Sequence, residues 1–164
     1  VFYPLIDLNS DGGFACLKSL RYLFLGGEPI RVNKLAPWLT GENCRCELVN
    51  TYGPTECTDI SSSYRVSRED IMENRNIPIG KPIYNAHLFV LDKDLHVLPI
   101  GVMGELCIGG HGLSKGYYKN RQLNSEKFLE TPHLPVPKIY RTGDMARWLP
   151  GEPPAGAPLS CWPP

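Results

Sequence analysis

Residues 47–56 read Glu-Leu-Val-Asn-Thr-Tyr-Gly-Pro-Thr-Glu. Glu47-Leu48-Val49 is a short β-forming run, and it leads into an Asn, an aromatic, a Gly-Pro bend and a Thr-Glu pair. A strand that ends this way can hold a nucleotide from several sides. Tyr52 offers a ring face to a base, a contact worth ~1–3 kcal/mol in nucleic-acid systems. Gly53 and Pro54 let the backbone come close to a ligand. Thr55 offers a hydroxyl to a phosphate oxygen, and Glu56 offers a hard carboxylate to Mg²⁺. An ordinary turn with a capping Thr-Glu pair reads the same way, so spacing alone leaves both readings open.

Outward from this stretch the pattern is mixed. Upstream, the apolar run 20–25 predicts a buried strand ending at Gly26-Gly27. Glu28-Pro29 predicts the opening of a helix whose face carries Ile30, Val32, Leu35, Trp38 and Leu39 and which Gly41 closes. Downstream, residues 60–66 predict a further strand. From residue 77 prolines and glycines separate short apolar runs at 86–91, 95–98 and 105–108, the spacing of a β-rich barrel or meander. Asp92-Lys93-Asp94 is a candidate hairpin loop. Asn124 or Ser125 is a candidate cap for a short helix that includes Phe128. Residues 138–142 and 145–149 predict two strands split by Gly143-Asp144. The last stretch, 150–164, holds six prolines and predicts an irregular tail, since it cannot bury enough apolar surface to offset its ordering entropy.

Composition excludes several classes. The 164 residues are 42% apolar and 21% charged, a globular mix, and 17 Lys plus Arg balance 17 Asp plus Glu. That balance argues against a nucleic-acid or anionic-membrane partner held by bulk charge. No apolar run approaches the length of a membrane span, and no secretory signal opens the chain. The chain begins at Val1 inside an apolar stretch and reads as part of something longer. The six cysteines are too sparse for a disulfide scaffold, and a reducing cytoplasm is the expected compartment.

Two motifs are weak. Gly112-Leu113-Ser114-Lys115-Gly116 matches the hydrolase nucleophile pattern, but Tyr117-Tyr118-Lys119-Asn120 is a poor start for the helix that chemistry needs, and only His133 lies downstream as a base. Cys44-x-Cys46 has no second ligand pair among the histidines, so core or surface thiols are the plainer reading.

Asn50 to Glu56 resembles the adenylation-domain signature of non-ribosomal peptide synthetases, adenylate-forming enzymes of the AMP-binding superfamily. Gly104-Glu105-Leu106-Cys107-Ile108-Gly109-Gly110 with Gly116-Tyr117-Tyr118, Arg121 and Phe128 resembles the next motif of that family, and Tyr140-Arg141-Thr142-Gly143-Asp144 a third. Pro78-Ile79-Gly80-Lys81-Pro82 and Leu25-Gly26-Gly27-Glu28 fit as well. Order and spacing agree from about residue 17 to 149.

The resemblance implies an α/β (mixed α+β) fold, a fragment of the large N-terminal subdomain in which the end of an α/β layer is followed by a β-barrel-like layer. It divides the chain into a partial adenylation domain, 1–149, and the Pro-rich tail, 150–164, left open between a native divergent tail and an out-of-frame read or cloning junction. It implies ATP-dependent activation of an amino acid as aminoacyl-AMP, then thioester loading onto a phosphopantetheine arm of a neighbouring carrier domain, with carrier and condensation domains as partners. By similarity, Thr55 and Glu56 are the catalytic pair and Glu56 binds Mg²⁺. Gly27, Asn50, Tyr52, Gly53, Thr55 and Asp144 hold ATP or AMP, with Asp144 accepting from the ribose hydroxyls. Phe24, Gly26, Thr51, Asp59 and Ile60 line the side-chain pocket, and Asp59 either faces a cationic or hydrogen-bonding substrate group or else points to solvent or caps a strand end. The family's phosphate loop, the aspartate for the substrate amine, the hinge and the C-terminal lysine find no match here, so the fragment alone is expected not to adenylate. An acyl-CoA or aryl-acid ligase and a non-catalytic remnant are the competing readings.

Overall fold

The structure, a computed structural model, describes residues 2–9, 13–42, 44–150 and 159–162. Two compact units divide the chain, one formed by residues 1–50 and 65–77, the other by 51–64 and 78–164. Each has its own core.

The first unit holds helices α1 (Tyr3–Asn9), α2 (Val32–Leu39) and α3 (Arg68–Met72), strand β1 (Tyr22–Gly26), and the first residues of β2 (Glu47–Tyr52). Helix α2 begins later than Glu28-Pro29 predicts, after Arg31, whose backbone N–H donates to the Tyr3 hydroxyl at 2.8 Å. It buries Val32, Leu35, Trp38 and Leu39 against Ile6, Leu17, Leu48 and Ile71. Leu23 and Leu25 of β1 pack on this core, while Tyr22 and Phe24 alternate onto the exposed face. Helix α3 carries a capping box in which Ser67 and Asp70 each accept from the other's backbone N–H.

The second unit holds a five-stranded sheet in the order β5 (Ala86–Leu91), β6 (Gly104–Gly110), β8 (Lys138–Trp148), β7 (Phe128–Glu130), with β9 (Leu159–Trp162) also on β8. A separate antiparallel pair joins β3 (Ser62–Arg65) and β4 (Lys81–Pro82) through Ser62↔Pro82 and Ser63↔Lys81. Helix α4 (Arg121–Lys127) precedes β7. The core runs through Ile79, Leu88, Val90, Leu106, Ile108, Phe128, Tyr140 and Ala146. The fold is mixed α/β, as expected.

Four further elements depart from the sequence reading. Residues 95–98 give one bridge, Leu91↔Val97, rather than a strand, because Leu95 takes a left-handed φ of 64°. The helix near residue 124 is capped by Asn120, not Asn124 or Ser125, and ends before Phe128, which opens β7 and is buried in the core. The strands split at Gly143-Asp144 are one strand, β8. Within the stretch read as an irregular tail, residues 159–162 form β9, paired antiparallel to Met145–Trp148, while 151–158, 163 and 164 lie outside the described residues.

Strand β8 stays continuous because it absorbs a bulge. Glu105↔Met145 and Cys107↔Arg141 are both in register, so residues 142–144 stand opposite Leu106 alone. Gly143 takes φ 87°, which costs a glycine little. On the other edge β7 pairs with residues 138–140 and β9 with 145–148, so residues 141–144 face neither.

Candidate functional site

The bulge delivers Asp144. Thr142 Oγ1 donates to the Leu106 carbonyl at 2.7 Å and accepts from Asp144 N–H at 3.0 Å. Gly143 N–H donates to Glu105 Oε1 at 3.2 Å, and Glu105 Oε2 takes both Nε, at 2.9 Å, and Nη2, at 2.5 Å, of Arg141. Charge-assisted bonds of this kind fix direction as well as energy. The loop that bears Asp144 is therefore tied to β6 at both of its ends.

The Tyr52 hydroxyl donates to Asp144 Oδ2 at 2.5 Å across 92 residues of chain. After Tyr52 the backbone turns through Gly53 and Pro54 into a single 3₁₀ turn, Thr55–Cys57. Ser61 N–H donates to the Tyr52 carbonyl at 2.8 Å, closing the loop on itself. A Cβ on Gly53 would lie 2.2 Å from the Asp59 carbonyl oxygen, so glycine is required for this approach. Thr58 and Asp59 both take left-handed φ, 61° and 67°, unusual for residues with a Cβ. Thr58 Oγ1 donates to the Gly112 carbonyl at 2.7 Å and secures the turn.

Glu56 is half-buried and points at two tyrosines. The Tyr117 hydroxyl donates to Glu56 Oε1 at 2.5 Å, and Tyr140 Oη stands 3.2 Å from Tyr117 Oη. With the Tyr117 proton committed to the carboxylate, Tyr140 is the donor in the second contact. The Tyr117 hydrogen bond, more than any other influence, holds the Glu56 carboxyl below the usual carboxylate range, and Lys127 pulls the same way. Glu56 is thus an anion at neutral pH. Burial lifts the Tyr140 phenol far above its ordinary value, so it stays a donor. Burial likewise raises the Cys57 and Cys107 thiols to about 12, which makes them packing groups rather than nucleophiles.

A single ionised carboxylate fits the manner in which Mg²⁺ is commonly bound, through one or two carboxylates with the remaining positions left to phosphates and water. Thr55 is exposed on the same turn. Glu56, Tyr52 and Asp144 thus lie in one unit, joined by Tyr52–Asp144, Glu56–Tyr117 and the core contact of Tyr52.

The other residues singled out in the sequence divide between the units. Phe24 (60% exposed), Gly26, Gly27 and the buried Asn50 belong to the first. Thr51, Gly53, Asp59 and Ile60 belong to the second. Ile60 lines a cleft of about 310 Å³ with Ser61, Ile83, Tyr84, Ile108 and His111, while the exposed Asp59 is not in its wall. Sequence reasoning assigns no role to Tyr117, Tyr140, Glu105 or Arg141, although all four stand inside the family motifs. Ser114 does not fit the hydrolase pattern, because residues 113–120 are not helical and α4 starts only at Arg121. Among the described residues, the one cluster of three potential metal ligands is Asp92, Asp94 and His96 on an exposed turn. No helix among them is long and apolar enough to cross a membrane.

The sequence profile of the AMP-binding enzyme family matches residues 2–118. Bacitracin synthase 3 of Bacillus licheniformis is 42% identical over 150 residues, 92% of this chain and 2% of that protein. Tyrocidine synthase 1 of Brevibacillus parabrevis is 40% identical over 133 residues, 81% of this chain and 12% of its own length. The chain therefore spans a small part of the curated relatives it matches. Among solved structures, holo-PA1221, described as a non-ribosomal peptide synthetase (NRPS) protein containing adenylation and PCP domains bound to a vinylsulfonamide inhibitor, superposes with a TM-score of 0.82 at 33% identity, over 98% of this chain and 26% of that one. The N-terminal subdomain of Klebsiella oxytoca NpsA superposes at 0.77 with 22% identity, over 96% of this chain and 39% of that one, a likeness of fold.

Proposed function

This chain belongs to the AMP-binding enzyme family, among the adenylation domains of non-ribosomal peptide synthetases, and from that premise we propose that it forms part of the site at which a synthetase activates an amino acid with ATP. A carboxylate oxygen of the amino acid attacks the α-phosphorus of ATP. The bond from that phosphorus to the bridging oxygen breaks, pyrophosphate leaves, and aminoacyl-AMP forms. A carrier-bound phosphopantetheine thiol then takes the acyl group and releases AMP.

Within this reading Tyr52 packs on the adenine beside Asn50, and Gly27 and Gly53 bring backbone close to the nucleotide. Asp144 accepts from the ribose hydroxyls, and Thr55 contacts the phosphate. Glu56 holds Mg²⁺, which when bound neutralises phosphate charge. Phe24, Gly26, Thr51, Asp59 and Ile60 are assigned to the substrate side chain by the resemblance, and the exposed Asp59 suits a cationic or hydrogen-bonding group. Catalysis on these residues is mainly positioning and electrostatics. Because the chain covers so little of its relatives, the reaction belongs to the larger polypeptide, and the isolated chain is expected not to turn over. The partners on this reading are the carrier and condensation domains, and the compartment is the cytoplasm.

The observation that carries the reading is the Tyr52–Asp144 hydrogen bond, which brings the first motif and the third together inside one unit. The test is amino-acid-dependent ATP–pyrophosphate exchange by the full polypeptide that carries this chain, across a panel weighted to Arg, Lys, ornithine, Gln and apolar residues. Exchange with one amino acid, lost by a hundredfold or more in Asp144→Ala, is expected. Exchange with none, from folded protein, would move the reading to an acyl or aryl ligase or an inactive remnant.

A further inference from the structure

We propose that Tyr117 is the positioning residue for Glu56: its phenol holds one carboxylate oxygen so that the other is presented to the metal that accompanies ATP. The inference rests on Glu56 being the metal-binding carboxylate of the proposed site. Three observations carry it.

The first is the bond itself. Tyr117 Oη donates to Glu56 Oε1 at 2.5 Å, and the two residues are 61 apart in the chain, so the contact is a product of the fold. It fixes Oε1, and a one-point contact to a cation needs only the other oxygen. The second is the way Tyr117 is held. Asn124 of α4 grips its backbone from both sides, with Oδ1 accepting from Tyr117 N–H at 2.6 Å and Nδ2 donating to its carbonyl at 2.9 Å. Gly116 takes φ 123°, and a Cβ there would come 2.6 Å from Asn124 Oδ1, so the preceding residue is shaped to admit the clamp. The Tyr117 ring meets Phe128 edge-on at 5.8 Å, and Phe128 is buried in the core. Both ends of the phenol are thereby set by the sheet and by α4. The third is Tyr140, whose hydroxyl stands 3.2 Å from that of Tyr117 and leaves the Tyr117 proton for Glu56.

An exposed carboxylate without such a partner samples several rotamers and must be ordered when the cation arrives. One already held loses less freedom on binding. Hydrogen-bonded partners of metal-ligating groups are commonly worth roughly 10- to 100-fold in metal affinity. Tyr117 therefore acts on the metal through Glu56 and has no direct share in the adenine or ribose contacts.

The experiment is isothermal titration of the full polypeptide with AMP, with metal-free ATP and with Mg·ATP. The ratio of the two ATP affinities reports the metal's contribution, and AMP reports the rest of the site. Tyr117→Phe, which keeps the ring and removes the hydroxyl, is expected to lower that ratio roughly tenfold or more and to leave AMP affinity within about twofold. Asn124→Asp, which keeps the acceptor and removes the donor of the clamp, is the second variant, with an expected loss in the same ratio that is smaller than that of Tyr117→Phe. An unchanged ratio in both variants overturns the inference, and so does an equal loss for all three ligands, which would assign Tyr117 to packing. The reading of Glu56 fails separately, if Glu56→Gln keeps the wild-type ratio or if the wild type binds no adenine nucleotide, and the inference falls with it.

Discussion

A methyl group at Gly53 has nowhere to go. It would meet the Asp59 carbonyl oxygen at 2.2 Å and Ser61 N at 2.7 Å, both backbone atoms of the loop that returns from the 3₁₀ turn. Gly53→Ala should therefore cost ~1–3 kcal/mol, visible as a lower midpoint in thermal melting, and should weaken AMP binding with it because Tyr52 and Glu56 flank the disturbed turn. A wild-type melting midpoint would show that the loop relaxes at no cost. At this scale the sequence is readable in part. Tyr52, Glu56 and Asp144 are singled out in the sequence because each sits in a short, distinctive motif. The pairings they make are not, because a hydrogen bond spanning 61 or 92 residues has no local signature. Asp59 shows the same limit from the other side: its letter leaves a pocket and solvent both open, and its exposure and left-handed backbone come from the fold.

The β8 bulge turns a strand into a holder for Asp144, and Glu105 is its anchor. Glu105 binds Arg141 before the bulge and Gly143 N–H within it, and its side chain is only 19% exposed. Glu105→Ala should destabilise by about 1–2 kcal/mol, discounted for the 40% exposure of Arg141, and should also weaken AMP binding although Glu105 lies outside the proposed nucleotide contacts. Unchanged AMP affinity would separate the bulge from the site. The turn after β5 makes a second prediction. Asp92 Oδ1 accepts from the N–H groups of Asp94 at 2.8 Å and His96 at 2.9 Å, and the His96 bond leads the influences that hold its carboxyl below the usual range. A depressed carboxylate stabilises above its ordinary value, and the benefit disappears as pH falls through the lowered one. The Asp94 and His96 amide resonances should therefore titrate together, with a midpoint below that of an ordinary aspartate. A midpoint at the ordinary value would mean the turn is not held this way. The run 86–91 is legible as a strand because its period and its flanking turn agree. Residues 95–98 carry the same apolar letters but lack the backbone freedom, since Leu95 must turn left-handed to close the loop. The helix cap near residue 124 escapes the sequence because Asn124, a good cap by type, is engaged with Tyr117.

Two cores within one chain predict two local stabilities. Leu35 in the first unit and Leu106 in the second are both fully buried, and truncating either to alanine should cost ~2–5 kcal/mol. Amide exchange should show the larger loss of protection in the unit that carries the substitution, and equal loss in both would mean that the units unfold as one. The β-rich character of the later part is legible from the change in punctuation near residue 77, and the mixed α/β class from the resemblance. The division into units is not, because the chain leaves the first unit after Asn50, returns at Arg65 and leaves again after Ile77. That threading has an engineering consequence. No single cut separates the units, but the excursion Thr51–Tyr64 begins and ends in strands and carries Tyr52, Thr55, Glu56, Asp59 and Ile60 on one contiguous segment. It is a natural cassette: exchanged whole between related chains, it would move Thr51, Asp59 and Ile60, three of the five residues proposed to meet the substrate, while carrying its own glycine, its own left-handed turn and its own closing hydrogen bond with it.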